Sequence, residues 1–278
     1  MNNLVLRSIT GFFFVAVVLG SILINEFTAT VVFSIFFVLG LIEFFQLFKN
    51  HKILSIPLKS SLTFGILIFG ILVAILFGQL HLFFLMFILP LVFTVALLEL
   101  WRKKENPILN SAIVLFGIVY LVVPFYLIIH LTVMDYSINS SELFFPKVVG
   151  LFLLVWTNDT FAYLTGRLLG KTKLFERISP HKTWEGTIGG ALFTLLVAFV
   201  IGYSTEDMDT VFWLVSAIII IPCAILGDLF ESLLKRSLNI KDSGNILPGH
   251  GGILDRFDAV MFALPFFVFW VYFNMYLL

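Results

Sequence analysis

Residues 249–258, GHGGILDRFD, place a histidine, an arginine and two aspartates among three glycines. Asp255 and Asp258 are three residues apart, so they would share one face of a helix. Carboxylate oxygens suit Mg²⁺, which proteins usually hold with one or two carboxylates plus substrate phosphates. Arg256 could bind a phosphate through its guanidinium fork, and the glycines allow backbone N–H groups to approach an anion. The segment therefore predicts a phosphate and metal site; the alternative is a plain turn before a helix whose N-terminus favours carboxylates.

A second charged group lies in the segment AILGDLFESLLKR, which is otherwise apolar. Asp228 and Glu231 are three residues apart on one helix face, and Lys235 follows on the same face. Charged groups inside a membrane span are costly and usually face a cavity or a partner. Asp228 thus joins Asp255 and Asp258 as a third candidate carboxylate for Mg²⁺. For Glu231 the alternative is a simple pair with Lys235 near the membrane interface.

Two further polar segments precede these. FERISPHKTWEGTIGG leads into a glycine-rich helix start, where free N–H groups bind phosphate well, and Lys182 is the cation beside it. WTNDTFAYLTGRLLG places Asn158 and Asp159 in an apolar helix, where an aspartate predicts a functional role with Lys182, Arg167 or a metal as its partner. The alternatives are a capping region for the first segment and a helix end at the interface for the second.

The elements that hold these residues are membrane helices. The chain of 278 residues is 60% hydrophobic and 12% charged, about half the charge of a soluble domain. A membrane helix needs about 20 mostly apolar residues. We therefore predict an all-α, polytopic integral membrane protein with about nine transmembrane helices, roughly at 5–25, 28–48, 60–78, 80–100, 109–133, 146–166, 188–204, 211–232 and 258–277.

The basic residues predict the orientation of these helices. With a cytoplasmic N-terminus, alternation of the spans puts all of the 17 lysines and arginines except Lys147 on the cytoplasmic side. The two polar loops at 167–187 and 233–257 then face the same compartment. Their candidate residues can therefore meet at one side of the membrane.

The chain is expected to form a single membrane-embedded domain, 1–278. Within it, residues 1–145 would supply helices for packing, dimer and lipid contacts, and residues 146–278 would carry the catalytic helices and cytoplasmic loops. Glu43 and Glu99 lie near helix ends beside basic loops. We expect both to anchor helices at the interface rather than to take part in catalysis.

Cations, N–H-rich turns and carboxylates on one side of a membrane suit phosphates together with a divalent metal. Phosphoryl-type transfer needs mainly positioning and charge neutralisation from the protein. The sequence contains no GxxxxGK[ST] motif and no kinase motif set, which argues against the usual soluble nucleotide-binding folds. The residues alone therefore predict a metal-dependent enzyme that acts on phosphates and reaches a lipid substrate from the bilayer.

The run SLLKRSLNIKDSGNILPGHGGILDRFD, residues 232–258, resembles the signature of the phosphatidate cytidylyltransferases. NDTFAYLTGRLLGK and ISPHKTWEGTIGG resemble two further blocks of that family, and the N-terminal half resembles it only in hydropathy. His181 stands where the family pattern has a lysine. The signature residues present are Ser232, Lys235, Arg236, Lys241, Asp242, His250, Gly251, Gly252, Asp255, Arg256 and Asp258.

The resemblance implies that CTP and phosphatidate give CDP-diacylglycerol and pyrophosphate. It also implies Mg²⁺, with a second cation left open, a homodimer, a multi-pass location in the bacterial inner (cytoplasmic) membrane, and no nucleic-acid partner. The implied catalytic residues are Asp228, Asp255, Lys235 and Arg256. The implied metal ligands are Asp228 and Asp255, followed by Asp258 and Glu231. The implied substrate-binding residues are Asp159, Ser179, Lys182, Thr183, Glu185, Arg236, Lys241, Asp242, His250, Gly251 and Gly252.

Two alternatives remain open at the level of sequence. A CTP-dependent polyprenol or phytol kinase shares parts of the C-terminal chemistry, and it would release CDP rather than pyrophosphate. An ion-coupled secondary transporter would use intramembrane carboxylates for coupling, but such proteins often show broken helices in both halves. Here the polar residues are concentrated in the C-terminal half, which disfavours the transporter.

Overall fold

The computed structural model describes residues 3–49, 54–138, 144–205, 208–240, 243–244 and 251–277, with the backbone alone for 3–8. These residues form nine α-helices: α1 (Asn3–Ile24), α2 (Glu26–Leu47), α3 (Leu58–Leu76), α4 (Ile88–Arg102), α5 (Pro107–Ile138), α6 (Lys147–Leu169), α7 (Trp184–Ser204), α8 (Thr210–Ser237) and α9 (Leu254–Leu277).

Eight helical segments in the described ranges are long and apolar enough to cross a membrane, and Ile9–Ile24 is a shorter apolar helix. The predicted all-α polytopic membrane fold is confirmed, and every predicted span overlaps one helix. Local capping explains several of the helix starts. The Asn25 side chain accepts a hydrogen bond from Thr28 N at 2.8 Å, and Asp209 accepts one from Phe212 N at 2.7 Å.

Two local features differ from the predicted helices. The span predicted at 80–100 begins as a 3₁₀ helix, Leu82–Phe87, before it continues as α4. A short antiparallel hairpin, β1 (Lys173–Phe175) and β2 (Ser179–Thr183), precedes α7, with Lys173 opposite Thr183. The hairpin carries Lys182 towards the helices of the C-terminal half.

The aromatic core fixes the position of α9. Phe257 is fully buried between the aspartates of the first turn of α9, and its ring centroid lies 5.1 Å from that of Phe125 on α5. It also contacts Phe33 of α2 and Phe152 of α6 edge-on. Because this face of α9 packs on three other helices, the aspartates on either side of Phe257 are held in a fixed orientation.

Helices α8 and α9 approach each other closely at Gly227. A Cβ atom at this position would lie 2.6 Å from the carbonyl oxygen of Asp258 and 2.7 Å from Phe262 Cβ. Real Cβ atoms do not tolerate such distances, so only glycine permits this backbone approach. The close contact brings Asp228, the next residue on α8, beside the first turn of α9.

Lys147, the one basic residue that the topology places outside, forms a buried ion pair. Its Nζ lies 2.5 Å from Asp135 Oδ1, and its backbone N donates to Asp135 Oδ2 at 2.7 Å. Both side chains are almost completely buried, which makes the pair a contact between the end of α5 and the start of α6. The exception to the charge pattern is therefore a structural ion pair rather than an exposed cation.

Candidate active site

A cavity of about 570 Å³ opens where α6, α7, α8, α9 and the hairpin meet. All four of the polar segments singled out in the sequence contribute to its wall. The charged side chains that line it are Asp159, Arg167, Lys173, Lys182, Asp228, Asp255 and Asp258. Residues far apart in the chain thus form one polar chamber among otherwise apolar helices.

Lys182 and Asp228 face each other across this cavity. Lys182 Nζ lies 2.5 Å from Asp228 Oδ2, and the two side chains are 27% and 34% exposed. Ser232, one turn along α8, donates to Asp228 Oδ1 at 3.3 Å. The pair therefore joins the hairpin to α8 while both charged groups stay accessible from the cavity.

Lys235 lies between two carboxylates at the end of α8. Its Nζ is 2.5 Å from Glu231 Oε2 and 2.6 Å from Asp255 Oδ1. The Glu231–Lys235 pair considered from the sequence is present, but Lys235 also reaches α9. Glu231 is 1% exposed, so this pair is buried inside the protein.

Backbone and hydroxyl groups of the preceding loop complete the environment of Asp255. Asp255 Oδ2 accepts hydrogen bonds from Gly252 N at 2.8 Å and from Ser243 N at 3.2 Å, and it lies 2.9 Å from Ser243 Oγ. Gly251 has a φ of +81°, a conformation that other residues rarely adopt. Ser243 and Gly252 therefore hold one oxygen of Asp255 while Lys235 holds the other.

Asp258 is the most crowded carboxylate of the site. It lies within electrostatic reach of Asp159, Asp228 and Glu231. It lines both the main cavity and a second cavity of about 310 Å³ between α1, α6 and α9. The second cavity is lined by Phe14, Val15, Trp156 and Arg256 among others. Asp159, Asp255 and Asp258 thus lie where the cavity lined by Arg167, Lys173 and Lys182 meets the cavity lined by Arg256, Phe14 and Trp156.

The carboxylates are suitable ligands for a hard cation, but they do not form a complete ligand set by themselves. Across the described ranges, no three His, Cys, Asp or Glu side chains converge as metal ligands. Lysines and backbone N–H groups contact several of the acidic oxygens instead. This arrangement fits Mg²⁺ only in the manner usual for that ion, with one or two carboxylates and the remaining ligands from phosphates and water.

Other predicted binding residues have structural contacts. Thr183 caps α7, because its Oγ1 accepts a hydrogen bond from Gly186 N at 3.2 Å. Glu185 accepts hydrogen bonds at 3.1 Å from the backbone N of Lys171 and of Thr172. These contacts close the hairpin onto the start of α7 and so position Lys182.

The remaining predicted residues divide into two groups. Ser179 begins β2, and Arg236 Nη1 donates to the carbonyl oxygen of Ile240 at 3.2 Å beside the end of α8. Neither residue is among those that line the main cavity. Three predicted residues lie outside the described residues: Lys241, Asp242 and His250.

Glu43 corrects the sequence interpretation. It was expected to anchor a helix at the interface, yet it is 3% exposed and contacts the loop before α9. Its Oε2 accepts a hydrogen bond from Ile253 N at 2.7 Å, and its Oε1 accepts one from Ser243 Oγ. No local motif marks this contact; a lone glutamate within an apolar stretch of α2 was the available signal.

Comparison with known proteins places these observations in a family. Residues 5–274 match the model of the cytidylyltransferase family. A phosphatidate cytidylyltransferase of Staphylococcus saprophyticus is 43% identical over 165 residues, which are 59% of this chain and 60% of the relative. The enzyme of the same name from Haemophilus influenzae is 42% identical over 127 residues, 44% of each chain. The matched segments therefore span less than two thirds of these relatives.

Proposed function

This chain belongs to the cytidylyltransferase family, and from that premise we propose that it transfers CMP from CTP to phosphatidate. The products would be CDP-diacylglycerol and pyrophosphate. The observation that carries the proposal is the junction of two cavities at Asp159, Asp255 and Asp258, one cavity rich in cations and the other partly apolar. An enzyme that joins a nucleotide to a lipid needs such a meeting point.

The main cavity suits the nucleotide. Arg167, Lys173 and Lys182 line it and would neutralise the triphosphate, since charge-assisted contacts to phosphate are the strongest available hydrogen bonds. The second cavity suits the lipid phosphate, because Arg256 lies there beside Phe14 and Trp156. In this arrangement Arg256 holds the phosphatidate phosphate while apolar side chains contact the start of the acyl region.

The proposed reaction is an in-line displacement at the α-phosphorus of CTP. A phosphatidate phosphate oxygen forms a new P–O bond, the bond between the α-phosphorus and its bridging oxygen breaks, and pyrophosphate leaves with that electron pair. The nucleophile is already ionised, so the protein need not supply a strong base. The work of the protein is to align two anions and to neutralise the charge that repels them.

We further propose that the site uses Mg²⁺. Asp228, Asp255 and Asp258 all line the cavity, but Lys235 holds Asp255 together with Glu231, which leaves Asp228 and Asp258 as the better-placed ligands. When bound, Mg²⁺ supplies positive charge next to the phosphates of CTP and of the leaving pyrophosphate. Asp255 and Glu231 then fix Lys235, and the identity of a second cation stays open.

Purified protein incubated with α-labelled CTP, phosphatidate and Mg²⁺ tests the function. The expected products are labelled CDP-diacylglycerol and an equal amount of unlabelled pyrophosphate. In a parallel incubation with a polyprenol in place of phosphatidate, labelled CDP and a phosphorylated polyprenol would instead identify a CTP-dependent kinase. Folded protein that turns over neither substrate in detergent or in vesicles, but accumulates a solute against an ion gradient, would identify a transporter.

Location and assembly are parts of the same proposal. We infer an inner-membrane protein with a cytoplasmic N-terminus, because its cation-rich loops would then face CTP. Cys223 is the single cysteine, so a cysteine-free variant with new cysteines in the loops would report sidedness through membrane-impermeant labelling. The homodimer implied by the family resemblance is tested by the mass of the purified protein after correction for bound detergent.

A further inference from the structure

We propose that Glu43 of α2 is a positioning residue for Asp255, a role that rests on the proposed function. Glu43 does not line either site cavity, and it would act only through the loop that surrounds Asp255. The inference assigns part of the active-site geometry to the N-terminal half, which was expected to serve packing, dimer and lipid contacts.

Both oxygens of Glu43 are used to hold the loop. Oε2 accepts a hydrogen bond from Ile253 N at 2.7 Å, and Oε1 accepts one from Ser243 Oγ. The same Ser243 hydroxyl lies 2.9 Å from Asp255 Oδ2, and Ser243 N donates to that oxygen at 3.2 Å. Ser243 therefore connects Glu43 to Asp255. Glu43 also binds the loop directly, through the backbone N of Ile253.

The packing around Glu43 supports the same conclusion. A Cβ atom at Gly244 would lie 2.9 Å from Glu43 Cδ, and one at Gly252 would overlap the Glu43 carboxylate. One turn earlier on α2, a Cβ at Gly40 would lie 3.5 Å from Ile253 Cγ2. Gly244 and Gly252 are thus packed tightly against the Glu43 carboxylate, whereas the contact at Gly40 is an ordinary one.

Loss of Glu43 would leave Ile253 N–H without its buried acceptor and would leave the Ser243 hydroxyl with Asp255 Oδ2 as its acceptor. An unsatisfied buried donor is costly, so we expect the backbone at Ile253 to shift until this N–H group finds another acceptor. A shift of the loop would move Asp255 and, through the ion pair, Lys235. A misplacement of about 1 Å in such a site can cost about 10²-fold in rate.

Glu43→Leu and Glu43→Gln separate positioning from general stability. Leucine fills a similar volume without an acceptor, whereas glutamine still accepts from Ile253 N and donates to Ser243 Oγ. The matched control is Glu99→Leu, since Glu99 is also buried but contacts Arg102 and Asn110 away from the site. Steady-state kinetics, thermal midpoints and hydrogen exchange of the amides at 251–254 are measured for each variant.

We expect Glu43→Leu to lower kcat by about 10²-fold per folded molecule, with a smaller change in the KM for CTP. Amide exchange at 251–254 should accelerate, Glu43→Gln should restore most of both properties, and Glu99→Leu should change neither. Ser243→Ala combined with Glu43→Leu should cost little more than Glu43→Leu alone, because the two residues act in one chain of contacts.

Three results would overturn the inference: unchanged kcat in folded Glu43→Leu, a fall in kcat without faster exchange at 251–254, or additive effects of the two substitutions. If Glu43→Leu does not fold, Ser243→Ala and Glu43→Gln still test the exchange and the rescue. Wild-type protein that makes no CDP-diacylglycerol would refute the proposed function, while the exchange measurements would still report on Glu43.

Discussion

Lys182 on the hairpin and Asp228 on α8 form an ion pair across the mouth of the main cavity, with Nζ 2.5 Å from Oδ2. Each is also a group that the proposed reaction needs, the lysine for phosphate and the aspartate for Mg²⁺. While no phosphate or Mg²⁺ is bound, the lysine and the aspartate neutralise each other. When the phosphates and Mg²⁺ bind, each partner exchanges one opposite charge for another.

Lys182→Met should weaken the use of CTP. A hydrogen bond to a charged group contributes about 1.5–3 kcal/mol, so kcat/KM for CTP should fall roughly tenfold to a hundredfold. Lys171→Met is the matched control, because Lys171 is exposed and does not line the cavity. Initial rates at varied CTP check this prediction, and equal kinetics for the two variants would contradict it.

Asp255→Asn should abolish turnover while membrane insertion stays intact. Lys235 binds one oxygen of Asp255, and Gly252 N and Ser243 bind the other. An asparagine has a single oxygen, so its NH₂ group would face donors on one of these two sides, and the ion pair would be lost. Activity and the amount of detergent-extracted monodisperse protein are compared with the wild type. Near-wild-type activity would remove Asp255 from the site.

Lys235→Met should destabilise the protein as well as inactivate it. Removal of one partner from a buried ion pair typically costs about 3–5 kcal/mol, because the remaining charges stay buried. The double variant Lys235→Met/Glu231→Leu should recover much of the thermal midpoint, since fewer unpaired charges remain, but it should stay inactive. Recovery of activity in the double variant would show that Lys235 serves stability alone.

Gly252→Ala should reduce turnover, because the new methyl group would overlap the Glu43 carboxylate and displace the loop around Asp255. Gly70→Ala, on α3, is the matched control, since a Cβ there meets no atom within 4 Å. Kinetics and thermal midpoints of the two variants should therefore differ. Equal activity of Gly252→Ala and Gly70→Ala would contradict the prediction, because turnover would then not depend on the position of Gly252.

Chelation of divalent cations should abolish product formation, and Mg²⁺ should restore it. Asp258→Asn should raise the Mg²⁺ concentration needed for half-maximal rate, because it removes a carboxylate that lines the cavity. The control is Glu176→Gln, whose exposed side chain is not among those lining the cavity. The test is a Mg²⁺ titration at fixed CTP, and overlapping titration curves for both variants would exclude Asp258 as a ligand.

Most of the fold could be predicted from the sequence because membrane helices have a simple requirement. Long apolar stretches predict the spans, and the distribution of lysine and arginine predicts the orientation. Lys147 is the exception to the distribution of basic residues because it forms a buried ion pair with Asp135. No local sequence pattern indicates this contact. The hairpin β1–β2 was missed because strands of 3 and 5 residues leave too short a pattern to recognise.

The candidate site was predictable where its residues are close in sequence. Asp255 and Asp258 share a helix start, and Asp228, Glu231 and Lys235 share a helix face. The pairing of Lys182 with Asp228 and the contact of Glu43 with the loop depend on how distant segments pack. One sequence contains no periodicity that specifies such contacts.

The contact between Glu43 and Ser243 joins residues 200 positions apart, and that distance has a consequence for biosynthesis. Glu43 enters the membrane with α2, long before the ribosome has made the serine and the backbone amide that will bind its carboxylate. A nascent chain with eight inserted helices therefore carries a buried acid that still lacks Ile253 as a donor. The Glu43 carboxylate therefore gains its backbone donor, and Asp255 its neighbours in the candidate site, only after the start of α9 has been made.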